Sequence, residues 1–61
     1  MVQVIIKKSC DRIGTKKGEE YTAEKYQYNP YGKVFLKEKG SFEYVYNLEF
    51  KTLQDKINFY K

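Results

Sequence analysis

The side chain best equipped for chemistry in this chain is Cys10, set among Lys7, Lys8 and Arg12. Nearby cations favour the thiolate, which is the nucleophilic form of the group. A thiolate nucleophile also needs a base, and the sequence contains no histidine. Cys10 therefore reads as a half-buried loop cysteine rather than a nucleophile. The carboxylates are scattered among lysines, and no acid–base pair stands out. One cysteine cannot close an internal disulfide, and without histidine it cannot complete a four-ligand zinc site. The stretch Gly14-Thr15-Lys16-Lys17-Gly18 offers too little glycine to cradle phosphate, and the Gly-Lys-Ser/Thr ending of a phosphate loop is absent. The expectation is a protein that is not an enzyme and uses neither cofactor nor metal.

What remains is the chemistry of binding. The chain has 7 tyrosines and 4 phenylalanines in 61 residues, with 12 Lys and Arg against 8 Asp and Glu. Four tyrosines fall between Tyr21 and Tyr31. Rings with hydroxyls serve equally as core filling or as a contact surface. The net charge of +4 is uneven. Residues 1–18 carry Lys7, Lys8, Arg12, Lys16 and Lys17 against Asp11 alone, whereas Glu19, Glu20 and Glu24 make the next stretch acidic. A basic first third can attract phosphates or an acidic protein face, or simply be solvated.

These side chains need elements to hold them. In Val2–Lys8 the alternation of Val2, Val4 and Ile6 predicts a strand with that face inward. Residues 9–18 carry two glycines and read as a loop, pinned to the core by Ile13. Glu19–Tyr28 reads as a second strand, with Tyr21 and Ala23 inward and Thr22, Glu24, Tyr26 and Tyr28 outward. Lys25 and Gln27 break its inward face, which implies a bulge or an exit from the core. Asn29-Pro30-Tyr31-Gly32 is a turn signal. Lys33–Glu38 is the third strand, with Val34 and Leu36 on one face and Phe35 on the other. Lys39-Gly40 turns into a fourth strand, Ser41–Asn47, where Phe42, Tyr44 and Tyr46 compete with Val45 and Glu43 interrupts. The last segment is ambiguous. Phe50, Leu53, Ile57 and Tyr60 form a helical stripe and Asn47 can cap its start, yet Glu49–Leu53 also alternates as a strand. A short strand near Phe50–Leu53, followed by a tail over residues 54–61 that packs back through Ile57 and Phe59 or Tyr60, is the preferred reading. A four-stranded meander with a C-terminal amphipathic helix is the alternative.

The order of these signals, VQVII, then KKGEEYTA, then turns at NPYG and EKGS and a final EFKTL, resembles the Src-homology-3-like small β-barrels, including compact ones in phage and bacterial accessory proteins. In that family a basic-Gly-acidic segment turns into the second strand, and strands two to four form a meander. The resemblance spans about residues 2–53 and implies a mainly β fold: one small five-stranded antiparallel barrel or strongly bent sheet, occupying residues 1–61 as a single domain. It also implies binding of proteins or nucleic acids rather than catalysis. Proline-rich peptide binding does not carry over, because the family's peptide groove uses a tryptophan pair and an ALYDY-like stretch, and this chain has neither.

A domain of this size has a small interior. The inward candidates named above fill it, with Leu48, Leu53 and Ile57 counted among them, so the remaining rings must lie outside. A protein-binding surface is expected from Tyr26, Tyr28, Tyr31, Phe35, Tyr44 and Tyr46. The competing structural reading is cross-strand pairing that merely stabilises the sheet. The functional expectation is a small accessory protein that binds and blocks or retargets a larger host protein. Phage origin is an association from the heavy use of Lys, Asn, Tyr, Ile and Phe, which AT-rich genomes favour. The alternative is nucleic-acid binding through Lys7, Lys8, Arg12, Lys16, Lys17, Lys33 and Lys37 with ring stacking. A homodimer through an open sheet edge is also compatible. No apolar run approaches the ~20 residues of a membrane span, and the lone cysteine fits a reducing compartment, so a cytoplasmic protein is expected.

Overall fold

The computed structural model describes residues 1–25 and 32–61. Five strands, β1 (Val2–Ile6), β2 (Glu20–Glu24), β3 (Lys33–Leu36), β4 (Ser41–Tyr44) and β5 (Leu48–Phe50), form one antiparallel sheet in the order β4-β3-β2-β1-β5. The sheet curls into a half-barrel, as the mainly β reading expected, and one helix, α1 (Leu53–Tyr60), follows it. A 3-10 turn over Val45–Asn47 carries the chain from β4 to β5. Among the described residues, no helix is long and apolar enough to cross a membrane.

The period-2 alternation sets which face is inside. Val2, Val4 and Ile6 of β1, Tyr21 and Ala23 of β2, and Val34 and Leu36 of β3 are buried together with Leu48 and Phe59. The register stacks them across the sheet: Val4 faces both Tyr21 and Phe50, and Ala23 lies between Val2 and Leu36. Full burial of a Val or Leu side chain contributes about 1.5–3 kcal/mol. Ile13 packs against this cluster from its loop, as expected. The loop itself is built: Cys10 and Thr15 exchange backbone hydrogen bonds at 3.0 and 3.1 Å, and the Lys17 N–H donates to Ser9 Oγ at 2.9 Å. Its exit is a turn in which the Glu19 N–H donates to the Lys16 carbonyl at 3.1 Å. Gly18 supplies the positive φ of 93° that this turn requires.

Several boundaries differ from the sequence reading. β2 covers Glu20–Glu24, the Tyr26–Tyr28 part of the expected strand lies outside the described residues, and β3 ends at Leu36 because residues 37–40 form the turn into β4. β4 stops at Tyr44, where the chain enters the 3-10 turn. In β4 the inward side chain is Glu43, fully buried opposite Val34, so Phe42 and Tyr44 face outward. The most informative difference lies at the C-terminus. The expected fifth strand is present but lies earlier, as β5 at Leu48–Phe50, and the segment after it is not an extended tail but the C-terminal helix of the alternative reading, beginning at Leu53. Thr52 caps that helix, its Oγ1 accepting the Asp55 N–H at 3.1 Å while its hydroxyl donates to Asp55 Oδ2 at 2.9 Å. Because residue 50 belongs to the strand, the Phe50-Leu53-Ile57-Tyr60 stripe cannot act as a single helical face. The helix docks instead through Phe59, with Asp55 half-buried one turn earlier, and leaves Leu53 at 73% and Ile57 at 51% exposure. The sequence reading expects both in the core.

Candidate functional site

The outer face of the sheet carries the rings. From β3 the outward side chains are Lys33 and Phe35, and from β4 they are Phe42 and Tyr44. Register places them directly opposite one another, Phe35 with Phe42 and Lys33 with Tyr44. Phe35 and Phe42 meet edge to face with centroids 5.4 Å apart. The Lys33 ammonium lies 4.7 Å from the Tyr44 ring centroid, inside cation–π range. Tyr46, in the 3-10 turn, stacks on Tyr44 at 5.0 Å with an interplanar angle of 21°, and is 70% exposed. Phe35, Phe42 and Tyr44 are half-buried. The next row brings in Glu24, which pairs with Phe35 across β2 and β3.

Buried Glu43 is bonded on either side of the Tyr44–Tyr46 stack. Its Oε1 accepts the Tyr44 N–H at 2.7 Å and an Asn47 Nδ2 hydrogen at 3.4 Å, bracketing the residues that carry both rings. Its Oε2 has no hydrogen-bond partner among the described residues. Sequence reasoning took Glu43 for a surface interruption. The signal available was its place between two outward rings in an alternating run, which forces it inward.

Beyond the rings, polar side chains knit the outer face. Gln3 Nε2 donates to Thr22 Oγ1 at 3.1 Å, and Glu38 accepts both the Thr22 N–H and the Thr22 hydroxyl, at 2.8 and 2.7 Å. Those two bonds hold the Glu38 carboxyl below its ordinary range. At the other end of β2, Glu19 Oε1 accepts the Tyr21 hydroxyl and the Lys16 N–H, each at 2.8 Å, and is likewise lowered, chiefly by the Tyr21 bond. Burial pushes the Tyr21 phenol up, reinforced by Glu19. Lys39 reaches across this end, 5.7 Å from the Tyr21 ring centroid.

The expected protein-binding residues divide as follows. Phe35, Tyr44 and Tyr46 are brought together, and Phe42 joins them although sequence reasoning left it out of the site. Tyr26, Tyr28 and Tyr31 lie outside the described residues. Of the basic candidates, Lys33 lies over one of these rings among the described residues. Lys7, Lys8, Arg12, Lys16 and Lys17 are exposed on the loop between β1 and β2, and Lys37 is exposed in the turn after β3. A second aromatic group was not anticipated: Phe50, Phe59 and Tyr60 contact one another at centroid distances of 5.2–5.8 Å. Lys25 lies 5.5 Å from the Phe59 centroid.

Comparison of the chain with protein-family models, with curated proteins and with solved structures yields no match.

Proposed function

We propose that this chain is a non-catalytic protein-interaction module, a small accessory protein of phage type that engages a larger host protein through Phe35, Phe42, Tyr44, Tyr46 and Lys33. The observation that carries this reading is the Tyr44–Tyr46 stack, held outside a filled core with Lys33 over its inner ring. Tyrosines in that position give a partner a rigid apolar body and a hydroxyl at little entropic cost, and they are frequent anchors of protein interfaces. The meander β2-β3-β4 followed around the sheet by β1 and β5 supports the Src-homology-3-like reading that led to this expectation.

A protein partner is favoured over nucleic acid because negative charge interrupts the rings. Glu24 lies in register with Phe35, and Glu38 is ionised on the neighbouring Thr22. A surface that tracks a phosphate backbone presents a continuous basic stripe beside its stacking rings.

The test is affinity capture from host lysate with the wild-type chain and with a Tyr44→Ser/Tyr46→Ser variant whose circular dichroism is unchanged. The expected result is one protein retained by the wild type and lost from the variant. Identical captures would remove the site. Binding to mixed DNA and RNA that falls steeply between low and moderate salt would transfer the assignment to nucleic acid.

A further inference from the structure

We infer that the free edge of β5 is a second docking site, and that its occupant is an extended acidic segment of a partner protein carrying apolar side chains at alternate positions. This site lies along the edge of the sheet opposite β4, borders the Tyr44–Tyr46 stack at Val45 without being lined by either ring, and does not rest on the assignment of that stack.

Three observations converge. A groove of about 480 Å³ runs along β5, and the six consecutive residues from Leu48 to Leu53 all line it. That volume is within the ~300–1,000 Å³ range of ligand clefts. Its apolar part comes from Val45, Leu48, Phe50, Leu53 and Tyr60. Leu53 is far more exposed than its size warrants, and the core makes no use of it.

The second observation is the backbone. Asn47 accepts from the Lys7 N–H and the Lys51 N–H donates to Gln3, so the backbone groups of residues 47 and 51 point at β1. Antiparallel alternation turns those of residues 48 and 50 the other way. The Leu48 N–H is satisfied by the Val45 carbonyl. The Leu48 carbonyl and both backbone groups of Phe50 therefore face the open edge, where no further strand pairs among the described residues. A row of this kind is a template for an added strand.

The third observation selects the occupant. Lys7, Lys51 and Lys56 line the groove against one carboxylate, Glu49. Lys51 shares its charge with Glu20 at 3.2 Å, which still leaves the groove positive. Leu48 and Phe50 lie on the inward row of β5, whereas Glu49 and Lys51 lie on the outward row. A strand added here would set its apolar side chains beside Leu48, Phe50 and Leu53, and its acidic ones toward the lysines. A second copy of the chain, net +4, is disfavoured by like charge.

The experiment is a titration of the ¹⁵N-labelled chain, followed by amide chemical shifts, with an acetylated and amidated hexapeptide of alternating Asp and Leu. A hexapeptide of alternating Lys and Leu is the control. The expected result is saturable shifts concentrated on residues 48–53 from the acidic peptide only, with affinity dropping at least fivefold between 20 and 200 mM salt. Lys56→Glu and Lys51→Glu should each weaken binding about tenfold, and Lys56→Glu avoids the Glu20 pair in case Lys51→Glu disturbs the fold. No shift at millimolar peptide, equal response to the Lys peptide, or shifts centred on Phe35, Phe42 and Tyr44 would each overturn the inference.

Discussion

Glu19 and Glu38 each accept two hydrogen bonds that form only when the chain is folded. Those bonds stabilise the ionised carboxylates, so both folded pKa values are lowered from the unfolded value. The stability they contribute is fully present above that value and is lost as the pH falls through the folded pKa values. Urea unfolding between pH 7 and pH 3 should therefore show a decline in the acid range, flattened in a Glu19→Gln/Glu38→Gln variant. Tyr21 has the opposite dependence. Its folded pKa is raised by burial, so stability holds below roughly pH 10 and declines above it. The Lys-Lys-Gly-Glu turn was legible because Gly18 and its neighbours carry a turn signature in their types. The role of Glu19 was not, because its partners Lys16 and Tyr21 are chosen by the turn geometry and not by composition.

The C-terminal helix shows how an element's neighbours decide its working face. Phe59→Ala removes its only buried side chain and should cost about 3–5 kcal/mol. Leu53→Ser and Ile57→Ser, on the stripe that the sequence pattern assigns to the core, should change unfolding by only about 0.5 kcal/mol or less. Thr52→Ala loses the cap and should cost about 1 kcal/mol, read from the urea midpoint. The strands were legible from period-2 alternation in Val2–Ile6 and Val34–Leu36. The helix was not placed correctly because Phe50 fits both a strand and a helical stripe, and pairing of Phe50 with Val4 resolves that tie through a contact 46 positions away. Glu43 escaped for a related reason: a carboxylate at an inward position runs against composition, and the alternation prevailed.

For the whole molecule, scale governs everything above. A chain of 61 residues encloses a small core, and small domains have stabilities at the low end of about 5–15 kcal/mol. Leu36→Ala, at a fully buried site, should cost about 2–5 kcal/mol and leave much of the population unfolded at 37 °C. The same smallness is the origin of the aromatic surface. Once Val4, Leu36, Leu48 and Phe59 have filled the interior, Phe42, Tyr44 and Tyr46 are left outside, where they are available to another protein. The most direct test is photochemically induced nuclear polarisation of the tyrosine rings in the monomeric chain, which reports access of a flavin dye to each ring. Strong polarisation of Tyr46, weaker polarisation of Tyr44 and none of Tyr21 is the predicted pattern. Silence from both Tyr44 and Tyr46 in a sample shown to be monomeric would contradict the account, because those rings would then be covered by the chain itself.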